Sequence, residues 1–136
     1  MSTTSSSIHD LMVYPLLYVA TPYSKYPGGL DEAFKDAASI TGRLIKAGLN
    51  VYSPIVHSHP CALYGKIDPH NHDIWLPYNA TMMDKSEALL VIKMFTWESS
   101  VGIAHEIEWF NNARKPVHYL DPIVLPKHDP IDQGND

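Results

Sequence analysis

Glu106 is the side chain in this sequence best placed to do chemistry. It ends the stretch Trp97-Glu98-Ser99-Ser100-Val101-Gly102-Ile103-Ala104-His105-Glu106, which follows the apolar run Ala88-Leu89-Leu90-Val91-Ile92-Lys93-Met94. The run predicts a strand, and the stretch opens a helix to about Asn112. A helix start presents unpaired N–H groups and partial positive charge, which suit an anion. Ser99 and Ser100 add hydroxyls there, Gly102 removes a side chain where a ligand would approach, and Trp97 heads the same segment. At 100° per residue, Ile107 and Phe110 fall within about 40° of Ile103 and form the buried stripe, with Glu106 about 60° off it. A carboxylate at the margin of the core and near an anion site can serve as nucleophile or as acid/base. The competing reading is a surface glutamate beside an ordinary serine cap.

The elements around it read as alternating strands and helices. Leu16-Leu17-Tyr18-Val19-Ala20 is an apolar run expected of a strand buried on both faces. The loop Thr21 to Gly29 carries Pro22, Pro27, Gly28 and Gly29, and its Thr21, Tyr23, Ser24, Lys25 and Tyr26 can touch a sugar or phosphate. Leu30 to Ala47 has helical periodicity ending at Gly48. A second strand starts at Asn50 and closes at Pro54. The segment Ser53 to Asp73 then reads as a polar loop lining a pocket, with His57 or His59 bonded to a substrate. Trp75 to about Lys85 is a helix with Pro77 in its first turn, and Pro116 to Leu120 is the fourth strand. The order predicts a single-domain α/β fold: a parallel sheet of four to five strands flanked by helices, flavodoxin- or Rossmann-like. The domain spans residues 16–120, between a flexible N-terminal tail (1–15) and an irregular C-terminal tail (121–136), whose Pro122–Leu125 part can still pair at an edge or pack on a neighbour. Three polar stretches follow strands and must meet at one edge of the sheet.

Composition narrows the partners. The chain has 136 residues, 45% of them hydrophobic, with net charge −5 and no cluster of Lys or Arg, which argues against duplex nucleic acid or an anionic membrane. No apolar run reaches transmembrane length, and no basic-then-apolar leader opens the chain. One cysteine, Cys61, excludes an internal disulfide and fits a reducing compartment, so a cytoplasmic location is expected. Trp109 points away from the predicted buried face, which suggests a homo-oligomer.

Leu17-Tyr18-Val19-Ala20, a helix ending in Gly48, Trp97-Glu98-x-Ser100-x-Gly102-x-x-x-Glu106 and Lys115-Pro116-Val117 together resemble the nucleoside 2-deoxyribosyltransferase-like superfamily. The likeness is greatest to a branch of small proteins with the signature Ser-Pro-Ile-x-His-Ser-His-Pro, here Ser53 to Pro60. The superfamily also contains N-glycosidases acting on deoxynucleoside 5′-monophosphates. The resemblance implies that Glu106 is the nucleophile at C1′ and that Tyr18 helps hold it. Ser100 stands where the transferases carry an aspartate and the monophosphate hydrolases a phosphate-binding serine, which implies a phosphorylated substrate. Asn79 stands where the family has an aspartate that contacts the base. The hydrolases' Ser/Arg phosphate loop after the first strand is replaced by Thr21, Ser24 and Lys25.

The expected chemistry is cleavage of the base–sugar bond of a nucleotide or nucleoside, with or without glycosyl transfer, through a glutamate nucleophile. Glu106, Tyr18, His57 and His59 form the expected catalytic set, and His57 or His59 protonates the leaving base. Thr21, Ser24, Asn79, Trp97, Ser99, Ser100 and Gly102 form the expected binding set. No cofactor or metal is expected. Two rivals belong to other classes. One is a catalytically silent nucleotide-binding sensor or scaffold. The other is a metal-dependent hydrolase built on the His/Asp loop, although no HExxH or CxxC spacing supports it.

Overall fold

The computed structural model describes residues 2–125. Met1 and residues 126–136, the ends of the two expected tails, lie outside the described residues. Four strands, β1 (Leu17–Ala20), β2 (Val51–Tyr52), β3 (Ala88–Ile92) and β4 (Val117–Leu120), form one all-parallel sheet in the order β2-β1-β3-β4. Helices α1 (Ile8–Leu11), α2 (Leu30–Lys46), α3 (Pro54–Gly65), α4 (His72–Lys85) and α5 (Val101–Asn112) complete it. The expected α/β class is therefore the observed one.

Strands β1 and β3 are buried at every residue because both faces of the sheet are covered. Leu17, Val19, Leu90 and Ile92 point to the side of α1 and α2, where Leu11, Ile40 and Leu44 meet them. Tyr18, Ala20, Leu89 and Val91 point to the other side, where Ile103 and Phe110 of α5 and Met83 of α4 close the core. The order reverses direction between β1 and β3. Open α/β sheets bind ligands at such a switch point, beyond the carboxyl ends of the strands.

Two local readings change. The polar loop expected from Ser53 to Asp73 is largely helical. Ser53 accepts a bond from Val56 N as an N-cap and Pro54 fills the first turn, where a missing N–H costs nothing. The helix tolerates Pro60 and ends at Lys66 with φ 59°. Helix α4 begins at His72, three residues before Trp75, under an Asn71 cap.

The flexible N-terminal tail is also corrected. Ser5 pairs in parallel with Tyr119, Ser6 and Tyr14 hydroxyls hold His118 at 2.8 and 2.7 Å, and Leu11 is fully buried. At the other end Pro122–Val124 makes a 3₁₀ turn and Leu125 packs into the α2-side core, as the sequence allowed. Among the described residues no helix is long and apolar enough to cross a membrane.

Candidate functional site

A cavity of about 410 Å³ lies at the switch point, a size typical of small-molecule sites. Four segments line it: the loop after β1, α3, α4, and the turn from β3 into α5.

The α5 side is built from the turn upward. Thr96 takes a left-handed conformation (φ 73°), turning the chain sharply after β3, and Trp97–Ser99 forms one 3₁₀ turn. Ser99 Oγ donates to Thr96 O at 3.1 Å, and Ser100 Oγ accepts from Ile103 N at 3.2 Å as the N-cap of α5. The hydroxyl proton of Ser100 stays available to a ligand. Helical spacing sets two columns toward the cavity, Val101 with His105 and Gly102 with Glu106, while Ile103 and Phe110 turn into the core. A methyl group built on Gly102 would meet only Ser100 Oγ, at 3.9 Å. Packing does not demand this glycine, so its open space belongs to the cavity.

Glu106 stands in the inner column. Burial, which strips water from the charged form, raises its pKa from 4.5 to about 8, against an opposing contribution from the Tyr18 hydroxyl. Tyr18 lies behind it in the core, fully buried, its hydroxyl facing Glu106 without closing a hydrogen bond of full geometry. Burial first, and the Glu106 charge second, push the phenol far above its ordinary range. Two other buried polar atoms without partners belong to cavity residues, Thr21 Oγ1 and Asn79 Oδ1. Buried polar groups are nearly always paired. Thr21 Oγ1 and Asn79 Oδ1 are thus open to a partner from within the cavity, whereas the Tyr18 hydroxyl is directed at Glu106.

The α4 wall shows a second face. His72, Trp75, Leu76, Asn79 and Met83 share one side of the helix at helical spacing and line the cavity together. Trp75 is fixed by a bond from Nε1 to Asp68 O at 3.0 Å.

Of the residues expected from sequence, Glu106, Thr21, Ser24, Asn79, Ser99, Ser100 and Gly102 line the cavity. Tyr18 touches it only through Glu106. His57, His59 and Trp97 do not line it. On α3 the cavity face is Pro54, Ser58 and Ala62, four residues apart, with Ile55 beside them, so the neighbours of Ser58 turn about 100° to either side. His57 stacks on Tyr78 at 5.9 Å. His59 stacks on Phe34 at 4.6 Å and bonds Tyr23 Oη at 2.8 Å through Nδ1, which holds Tyr23 at the cavity rim. Trp97 packs on Tyr119 at 5.7 Å, on the α5-side core. Ser58, His72, Trp75 and His105 line the cavity but were absent from the expected set. For His105 the signal was its place four residues after Val101 on the segment that carries Glu106. Among the described residues no group of three or more His, Cys, Asp or Glu could hold a metal ion.

A family model for a domain of unknown function, DUF1937, matches residues 15–121. The chain belongs to the DUF1937 family. No curated protein matches it. The DUF1937 match runs from just before β1 to just after β4 and thus encloses every cavity-lining segment. It leaves out α1, which this DUF1937 chain packs beneath the sheet.

Proposed function

We propose that this DUF1937 domain is an N-glycosidase that cleaves the base–sugar bond of a nucleoside 5′-monophosphate, with Glu106 as nucleophile. The observation that carries this reading is a crowded carboxyl, backed by a buried phenol, beside an open helix start in a ligand-sized cavity. The N–H groups of Val101 and Gly102 have no acceptor among the described residues and, with Ser99 and Ser100, suit the phosphate. Apolar Trp75, Leu76 and Met83 with the amide of Asn79 suit a base.

In this scheme the Glu106 carboxylate bonds C1′ while the C1′–N bond breaks and its electron pair leaves with the base. His57 and His59 face elsewhere, so His72 on the α4 wall takes the expected role of proton donor to the base nitrogen. Water then attacks C1′ and passes its proton to the now neutral His72 while the C1′–O bond to Glu106 breaks, releasing the sugar phosphate and restoring the Glu106 carboxylate. A base in place of water gives glycosyl transfer.

The test is incubation with nucleosides and 5′-monophosphates, followed by chromatography for free base. Glu106→Gln should lower release by on the order of a thousandfold or more. Unchanged release from every cleavable substrate would end the nucleophile assignment.

Asn79 favours a second reading, a nucleotide-binding domain without turnover, because an amide cannot supply the proton an aspartic acid could. Nucleotide-dependent thermal stabilisation with no free base from any substrate would select that reading. In either case the nucleotide pool of a reducing cytoplasm is the proposed setting, in keeping with the lone, exposed Cys61. A homo-oligomer is also part of the proposal. Trp109 no longer argues for it, being packed on Phe110 at 5.2 Å and under Lys115. The exposed Ile74 of α4, outside the cavity lining, supports it instead, and sedimentation at micromolar concentration tests it.

A further inference from the structure

We propose that Tyr23 is a specificity-determining residue: its hydroxyl, with its proton committed to His59, is a fixed acceptor that selects a ligand by a hydroxyl on the sugar. His59 and Asp31 act on the ligand only through Tyr23, as positioning residues. The inference rests on the nucleotide reading above but not on any bond being cleaved.

Three elements build this chain of contacts. Tyr23 lines the cavity from the loop after β1, and its hydroxyl reaches α3, 2.8 Å from His59 Nδ1. His59 follows Ser58, which lies on the cavity face of that helix, so the phenol oxygen stands at the seam between two cavity walls. At the other end of the imidazole, Nε2 lies 3.6 Å from Asp31 Oδ1 of α2. Phe34, one turn along α2, stacks on the ring at 4.6 Å with 16° between the planes, and Tyr23 stands nearly perpendicular to it at 5.9 Å. The His59 side chain is 13% exposed and cannot turn without giving up these contacts. The second histidine of the Ser53–Pro60 signature thus has a partner on every side, and only one of those partners, Tyr23, lines the cavity.

The carboxylate sets the direction of the bond. It only accepts, so Nε2 carries the proton that faces it, and Nδ1 of the neutral imidazole is left as an acceptor. The one proton of the phenol then goes to Nδ1. A ligand meets the remaining lone-pair side of the oxygen, which accepts and does not donate. Asp31 is 67% exposed and shares its other oxygen with Lys35 at 3.1 Å, so it fixes the tautomer without adding much stability. A ligand oxygen without a hydrogen leaves such an acceptor unpaired, which is the basis of the selection. In the nucleotide reading the phosphate goes to the start of α5 and the base to the α4 wall. The sugar hydroxyls are the donors left for the wall that Tyr23 and α3 form.

Two measurements test this. Long-range proton–nitrogen NMR correlations of the full chain read the His59 tautomer: Nε2 should be protonated and Nδ1 not, and Asp31→Asn should shift the population toward the other form. Calorimetric titration of the Glu106→Gln chain, in which the ligand is not consumed, then removes hydroxyls one at a time, with the 5′-monophosphates of adenosine, 2′-deoxyadenosine and 2′,3′-dideoxyadenosine. One of the two removals should cost about fivefold in affinity. With Tyr23→Phe added, the same removal should cost less than about twofold. His59→Leu should shrink that step and add nothing to Tyr23→Phe, a coupling that a merely structural role would not produce. His59→Asn, whose amide oxygen can stand in for Nδ1, should restore it. The proposal is overturned if Nδ1 carries the proton, if the hydroxyl step survives Tyr23→Phe, if His59→Leu weakens the Tyr23→Phe protein as much as the parent, or if none of the three nucleotides binds. It is equally overturned if the Tyr23→Phe effect follows the amino group of the base, seen when inosine 5′-monophosphate replaces the adenosine one. The expected hydroxyl step without base release by the wild type would remove the glycosidase reading and leave Tyr23 in this role. Base release abolished by Glu106→Gln, with a hydroxyl step indifferent to Tyr23, would do the reverse.

Discussion

At the scale of single residues, the pairing of Glu106 with Tyr18 makes two demands that can be measured separately. A carboxyl raised from 4.5 to about 8 holds its proton in the folded chain over a range where the unfolded chain has lost it. The folded state then binds more protons, so stability is full below about pH 4.5 and is lost as pH rises through about 8. Glu106→Gln removes this penalty. Thermal unfolding should show the variant and wild type converging near pH 5 and the variant melting more than about 5 °C higher at pH 9. Equal melting curves at pH 9 would mean that the carboxyl is freely solvated. Tyr18 acts in the opposite direction on the same group, since its hydroxyl favours the carboxylate. Tyr18→Phe should therefore raise the Glu106 pKa further and shift the acid limb of kcat/KM for base release to higher pH. At pH 7 the rate should fall about tenfold, with substrate affinity little changed. The buried phenol has no complete hydrogen bond to lose, so folding stability should hold.

At the scale of elements, each wall of the cavity is placed by a start or stop signal in the chain, and these differed in how readily they could be read. The apolar run of β3 followed by serines and a periodic helix was legible, because burial on both faces leaves no polar residue to confuse the pattern. Helix α3 was not. Its prolines at 54 and 60 and its two histidines have the composition of a loop. The decisive signal was only the Ser53-Pro54 pair, an N-cap followed by a first-turn proline. That misreading sent His57 and His59 toward the substrate, whereas helical spacing gives the cavity to Ser58. Gly102 offers the sharpest test of how α5 meets its ligand. The position is helical, with ordinary φ and open space, so Gly102→Ala should stabilise the fold by up to about 1 kcal/mol. The same methyl group enters the cavity between Ser100 and Glu106 and should raise KM several-fold. A variant that is more stable and binds as well as wild type would show that the ligand does not approach this turn.

At the scale of the whole molecule, the site depends on a sheet closed on both faces, and the face remote from the cavity is finished by a segment the family match does not include. The match begins at residue 15, yet Leu11 is completely buried against the α2-side core. The apolar segment from Ile8 to Tyr14 is too short for its periodicity to say which side chain is covered, so only the tertiary structure shows what Leu11 covers. Its neighbour Val13 is 74% exposed and provides the control. Leu11→Ala leaves a cavity under the sheet and should cost about 2–5 kcal/mol in urea denaturation, whereas Val13→Ala should stay within about 0.5 kcal/mol. Leu11 belongs to the core on the face away from α4 and α5 and does not line the cavity. Phosphate binding by the Leu11→Ala protein, measured well below its denaturation midpoint, should therefore match the wild type. If Leu11→Ala costs no more than Val13→Ala, the buried Leu11 side chain contributes nothing measurable to the core. If it destabilises as expected while leaving binding intact, closure of the far face supports the position of Glu106 through the stability of β1 and β3, not through any contact with the ligand.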